Sequence, residues 1–370
     1  MRTVPNLDVV IVGPVPPPRA GVSSHVERLA LLLEDEGFRV GILDHSNRAR
    51  DPRILASLNR NPARYWLHIR RVQATVVHYH HSRLDTLLAA ALARRNSAST
   101  WIVTFHGDAI GRSLTSKVPG VALACRRAIG RFDRIIAVST ALGDVVCAQA
   151  HRSVTVIPAY LPIPERDDTN PDVGPVTPTA IVSASRVATR ASVDRYGLDI
   201  ACAIFAAAQT EITDLRLEIF LTEAPRGKRA RAYLERVLGP LRDAGLQERV
   251  RVHIGSELYP AFCRGAVYLR PTRTDGDAVS IREALDAGVP VLASDVVKRP
   301  AGASELPLDD VPAWVTALSH AIDQSRSSRL TSTRSREHAQ AMVLLYREEV
   351  GGRPDADGTA HERTGAAHAH

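Results

Sequence analysis

The chain is poor in aromatic residues. Phe, Trp and Tyr make up 5% of its 370 residues, too few to furnish the stacking platforms on which single-stranded nucleic acid is held. Its basic residues are spread along the chain rather than gathered in one stripe, so nucleic acid is set aside as a partner. Cysteine is scarce as well. Cys125, Cys147, Cys202 and Cys263 stand singly, without the spacing of a zinc site, and read as reduced thiols of a cytosolic protein. Long apolar runs are missing: stretches such as Thr86 to Ala93 fall far short of the ~20 residues that span a bilayer. No cationic, apolar, small-residue leader precedes the first strand-like run, Val9 to Gly13, and the expectation is a cytoplasmic protein. The dinucleotide fingerprint G-x-G-x-x-G is absent too. Proline stands where its later glycines belong, which argues against a nicotinamide cofactor.

What remains is the balance of a globular protein, 45% hydrophobic and 24% charged, in a chain long enough for two cores. The net charge of +7 favours anionic partners: nucleotide sugars, phosphorylated acceptors or an anionic lipid surface. From residue 8 to 158, short apolar runs alternate with helical periods. Strands are expected at Val9–Gly13, Phe38–Leu43, Val76–His78, Trp101–Phe105, Asp133–Ser139 and Val154–Ile157, with helices at His25–Glu36, Leu84–Arg94 and Ala141–Gln149. That alternation predicts a Rossmann-like domain over 1–160. Prolines 162, 164, 171, 175 and 178 then mark a linker over 161–178.

The alternation resumes over 179–310, with strands at Ala180–Ala184, Leu215–Leu221, Val250–Ile254, Val267–Leu269 and Pro290–Ala293. Helices are expected at Leu198–Gln209, at Arg226–Arg242 and from Ile281 to a stop at Gly288. Helices at Val311–Gln324 and Glu337–Glu349 fill 311–350, where a return to the first domain is open, and 351–370 has the composition of a disordered tail. Between them, Ala63–Gln73 carries Arg64, Arg70 and Arg71 beside Tyr65, Trp66 and Ile69. It reads either as a solvated helix with one buried face or as a peripheral contact with an anionic membrane.

Polar residues gather where strands run into helices, the edge at which open α/β sheets bind ligands. His78, His80 and His81 close one strand and His106 the next, so they converge if those strands are neighbours. A zinc reading of that pair finds no Cys or Glu at useful spacing. The loop Pro14–Val22 leads from a strand into a helix, a ready anion site. The turn Asp275-Gly276-Asp277 is followed by Ser280-Ile281-Arg282-Glu283, which fits a Ser-x-x-Glu capping box and, equally, a ligand-binding acid.

Asp275, seven residues, Glu283-Ala284, then Ala287-Gly288-Val289-Pro290-Val291 resembles the paired-acid motif of retaining nucleotide-sugar glycosyltransferases of the GT-B fold, family four. Asp replaces the first Glu of that motif. Ala20-Gly21-Val22 is similar to the family's Gly-Gly-Val loop. The resemblance implies two Rossmann-like domains with parallel sheets facing an interdomain cleft. It implies transfer of a hexose-type group from a nucleotide diphosphate sugar, UDP-sugar first, to a hydroxyl acceptor, with no cofactor and no metal.

By position the resemblance assigns His80, His106, Asp275 and Arg186 to catalysis. It assigns Gly21, Arg186, Glu223, Asp275, Gly276, Asp277, Ala278, Val279, Ser280 and Glu283 to the donor, with Asp275 on sugar hydroxyls and Glu283 on the ribose. Tyr196-Gly197 stands where the family has Lys-Gly, and Arg190 or Arg195 is the candidate for the missing charge. Two other readings stay open: an epimerase or phosphorylase on the same fold, and a non-catalytic nucleotide-sugar-binding homologue.

Overall fold

A computed structural model describes residues 7–46, 48–81, 83–94, 98–107, 109–162, 177–185, 194–264, 266–275, 278–327 and 337–351. Its inner strands are short and β-branched-rich, and most of their residues are buried on both faces, as parallel strands between helical layers must be. The first domain runs β1 (Leu7–Gly13), α1 (Gly21–Asp35), β2 (Val40–Asp44), β3 (Ile54–Ser57), α2 (Pro62–Ile69) and β4 (Ala74–His81). It continues with α3 (Leu84–Ala93), β5 (Thr100–Phe105), α4 (Ala109–Leu114), α5 (Val121–Ile129), β6 (Arg134–Ala137), α6 (Thr140–Ala150) and β7 (Thr155–Val156). Its seven strands are parallel, in the order β3-β2-β1-β4-β5-β6-β7.

The second domain runs β8 (Thr179–Ala184), α7 (Leu198–Ala208), β9 (Arg216–Leu221), α8 (Gly227–Asp243), β10 (Val250–Ile254), α9 (Tyr259–Phe262) and β11 (Val267–Arg270). Then come α10 (Val279–Asp286), β12 (Val291–Ser294), β13 (Ala303–Leu306) and α11 (Val311–Ser327). Its six strands, also parallel, take the order β10-β9-β8-β11-β12-β13. Each sheet therefore reverses its strand order at one place, between β1 and β4 and between β8 and β11. Those two switch points are where a doubly wound sheet opens a crevice.

The last helix, α12 (Glu337–Gly351), returns to the first domain. Its Ala339, Met342 and Tyr346 join the core formed by β1, β2, α1 and β4. Tyr346 is fully buried and hydrogen-bonds His78, and Glu349 accepts from Thr100 and Arg134. In α2, Tyr65 and Ile69 pack into the first core, while Trp66 lies half-exposed with the Arg70 guanidinium 4.9 Å from its ring, so this helix has one buried face. No helix among the described residues is long and apolar enough to cross a membrane.

Candidate active site

At the second switch point the loops leave β8 and β11. Arg186, Arg190, Gly276 and Asp277 lie outside the described residues. Asp275 is described, and its carboxylate is not open to a ligand on all sides. Arg270 donates to it through Nε at 3.0 Å and Nη2 at 3.1 Å, Arg299 through Nη1 at 2.8 Å, and the Thr272 hydroxyl at 3.2 Å. Burial raises this carboxyl's pKa, but the Arg270 and Arg299 guanidiniums outweigh it and hold the group below the usual range. Arg299 is itself locked, donating to the Ser294 carbonyl and hydroxyl and to Thr272. Asp275 is thus held by Thr272 and by two arginines near it in sequence, which the sequence alone does not single out.

Beside that turn, Gly197 has φ +66°, and a Cβ there would come within 1.8 Å of the Pro271 carbonyl oxygen, so only glycine lets the two loops touch. Buried Asp194 fixes the same loop, accepting from the backbone N–H groups of Tyr196, Gly197 and Leu198 at 2.8, 3.1 and 2.6 Å and capping α7. Arg195 follows it with an exposed side chain, while its carbonyl accepts from the Arg273 amide.

The capping box at Ser280 is overturned. Ala278 is the N-cap of α10, with no side-chain cap, and the Ser280 hydroxyl instead accepts from Tyr268 at 2.8 Å. Glu283 does not reach back to the cap either. It lies buried on α10 and forms an ion pair with Arg28 of α1, in the other domain. Arg28 also donates to the Leu161 carbonyl at 3.2 Å, at the chain's exit from the first domain. Tyr160, one residue earlier, donates to Asp286 on α10. Gly288, with φ +74°, stops α10 as expected, the Val289 amide returning to the Ala284 carbonyl.

The two domains meet along a seam with a consistent sign. Arg19, Arg28 and Arg48 of the first domain pair with Glu257, Glu283 and Glu223 of the second. The amino termini of α1 and α10 face each other there: a Cβ on Gly21 would lie 3.8 Å from Val279. Neither helix carries an acidic residue in its first turn or a side-chain acceptor at its N-cap, so both present N–H groups and positive dipole ends.

The histidines gather at the first switch point. His80, one residue before the end of β4, is fully buried and hydrogen-bonds half-buried His106 after β5, Nδ1 to Nε2, at 2.9 Å. His80 thus has no exposed edge of its own, and His106 stands between it and the surface. His25 of α1, unnoticed in the sequence reading, completes the group: its ring lies 5.2 Å from that of His80 and 5.1 Å from that of His106. Gly13 makes this approach possible, since a Cβ there would strike Val26 of α1 at 2.7 Å. Burial drives all three imidazoles well below their ordinary pKa, His25 to about 4, so they are neutral.

Residues 19–159, which carry α1, the three histidines and the first half of the seam, match the family model described as Glycosyltransferase Family 4. The likeness to that family extends over the first domain, and the chain as a whole has the GT-B fold. Solved structures agree with the GT-B fold. Sucrose-phosphate synthase from Thermosynechococcus elongatus superposes with a TM-score of 0.64 over 94% of this chain and 100% of its own, at 15% identity. TarM from S. aureus, solved with UDP and α-GlcNAc-glycerol, gives 0.55 over 77% and 58%, at 10% identity. A Listeria monocytogenes protein titled as a putative UDP-N-acetylglucosamine 2-epimerase gives 0.60 over 95% and 98%, at 14% identity. A search of curated proteins returns no match.

The structure brings Gly21, Ala278, Val279 and Glu283 to one seam, with Glu223 farther along it. It keeps Asp275 among its own arginines. Arg28, His25, Tyr160, Arg270 and Arg299 are the residues that sequence reasoning missed. The one sequence signal for His25 was its place on the buried stripe of α1, where it looks like a packing position, and Arg28 lies at the edge of that stripe.

Proposed function

We propose that the chain moves a hexose-type sugar from a UDP-sugar to a hydroxyl acceptor with retention of anomeric configuration and without a metal in the transfer. The observation that carries this reading is Glu283, a buried acid at the seam facing α1, where two uncapped helix amino termini and Arg28 meet. Ribose hydroxyls are donors that a buried carboxylate accepts well, and they would share Glu283 with Arg28 or take its place. The diphosphate then lies against the helix ends. Charge that builds on the leaving oxygens is met there by fixed dipoles and guanidiniums, with Arg186, Arg190 and Arg195 as further candidates, and that is electrostatic preorganisation.

UDP is favoured by two neighbours, TarM solved with UDP and the Listeria protein whose title names a UDP-sugar. Retention rests on the Asp275–Glu283 motif. His106, half-exposed beside the seam, is the candidate to orient the reacting sugar face, with His80 behind it. Asp275 would reach sugar hydroxyls only with oxygen lone pairs that its arginines leave over. Action in the cytoplasm belongs to the same proposal, with the Arg64, Trp66 and Arg70 side of α2 as the face for an anionic membrane. The test is incubation of the purified chain with UDP-, GDP-, ADP- and TDP-sugars and hydroxyl acceptors. Acceptor-dependent release of UDP with a retained anomer, unchanged by added Mg²⁺ or Mn²⁺, is expected. The Listeria neighbour favours one second reading, epimerisation, and conversion of the sugar nucleotide without any acceptor would establish that instead.

A further inference from the structure

Three imidazoles meet at the first switch point in a way that packing alone does not require. Among the described residues, His25, His80 and His106 are the one group of three metal-ligating side chains whose ligand atoms all fall within 4.8 Å of one another. Their ring centroids form a nearly equilateral triangle of 5.2, 5.1 and 5.2 Å. Three imidazoles bound to one tetrahedral zinc through nitrogens at ~2.0–2.1 Å have centroids about 5.2 Å apart, from that bond length and the size of the ring.

We propose that His25, His80 and His106 bind one borderline divalent transition-metal ion, zinc foremost, and leave its fourth position to a water. A second observation points the same way. His25 Nδ1 bonds the Ala159 carbonyl at 2.6 Å, which fixes that nitrogen as the N–H and leaves Nε2 with its lone pair. That Nε2 is buried and has no partner, and the ion would take the place of the proton that His80 Nδ1 and His106 Nε2 share in one hydrogen bond. A backbone carbonyl orienting one ring nitrogen so that the other can ligate is the usual outer support of a metal-bound histidine. The surroundings keep the rings neutral, the form in which imidazole binds metal. No carboxylate stands in the group, so hard ions such as Mg²⁺ and Ca²⁺ are poor fits. Half-buried His106 marks the side from which the ion enters. The ion belongs to the first domain and takes no part in holding the donor diphosphate, so the site stands whether or not the transfer reaction proposed above is correct.

The experiment uses the full chain, stripped with a chelator and dialysed. Zn²⁺ is titrated in competition with a chromophoric indicator, and Co²⁺ is followed by its visible absorption. One tight equivalent is expected, with the intense bands of tetrahedral cobalt. His106→Ala and His106→Asn, at the least buried of the three positions, should each weaken Zn²⁺ by at least about a hundredfold, since changes to outer-shell partners alone cost 10–100-fold. Exposed Cys147 and Cys263, and His361, His368 and His370 near the carboxyl end, also attract zinc. A variant with both cysteines changed to Ser and those three histidines to Ala should keep full affinity. The proposal is overturned if the wild type binds no ion at micromolar Zn²⁺, if both His106 variants bind as the wild type does, or if the five-site variant loses the ion.

Discussion

Asp275 shows how far one residue's neighbours decide what it can do. Its side chain is 9% exposed and faces Arg270 and Arg299, whose side chains are 10% and 1% exposed. Two guanidiniums against one carboxylate would be costly to leave uncompensated. Asp275→Asn should therefore lower the unfolding free energy by about 3–5 kcal/mol, the penalty for breaking a buried pair from one side. Urea unfolding followed by circular dichroism reads it, and a loss under about 1 kcal/mol would mean that the arginines find water or other partners. His45 makes a second case. Burial, helped by the charge of Arg60, depresses its pKa to about 3, below the ~6.5 of an unfolded histidine. Between those values the unfolded chain binds a proton that the folded chain refuses. Its contribution is fully present above pH ~6.5 and is lost as pH falls toward 3, at about 1.4 kcal/mol per pH unit. Stability curves at pH 7, 6 and 5 should be steeper for the wild type than for His45→Leu by that slope; parallel curves would contradict the burial argument.

At the scale of elements, the inner strands and long helices were legible because their sequence period matches their burial. β1, β5, β8 and β9 are buried apolar runs, and α7 and α8 follow helical patterns with glycine at their starts. The edge strands β3 and β13 were not legible. Each has four residues, none of them buried, so neither an apolar run nor strict alternation marks them. The start of α10 misled in another way. Ser280 and Glu283 satisfy a local capping pattern, yet tertiary partners claim both, Tyr268 from β11 and Arg28 from α1. Local spacing cannot report a partner 255 residues away. The same limit hid the histidine group, because His25 comes from a helix whose distance from β4 depends on Gly13 and on the strand order of the sheet.

The whole molecule is two parallel sheets that meet through charges of opposite sign, arginines on one side and carboxylates on the other. Tyr160, Arg28 and the Leu161 carbonyl tie α10 to the first domain's exit, and α12 carries the chain back to the first core. Events at Glu283 are thereby coupled to the position of one domain against the other. A nucleotide that takes Glu283 from Arg28 exchanges one interdomain bond for another and would bridge the seam from both sides. Isothermal titration of the purified chain with UDP, GDP, ADP and TDP, repeated on Glu283→Gln, tests this most directly. The account predicts saturable binding of UDP that weakens about tenfold or more in the variant, the cost of losing charge-assisted hydrogen bonds, with the fold retained by circular dichroism. Absence of binding by every nucleoside diphosphate, or equal affinity in Glu283→Gln, would contradict it.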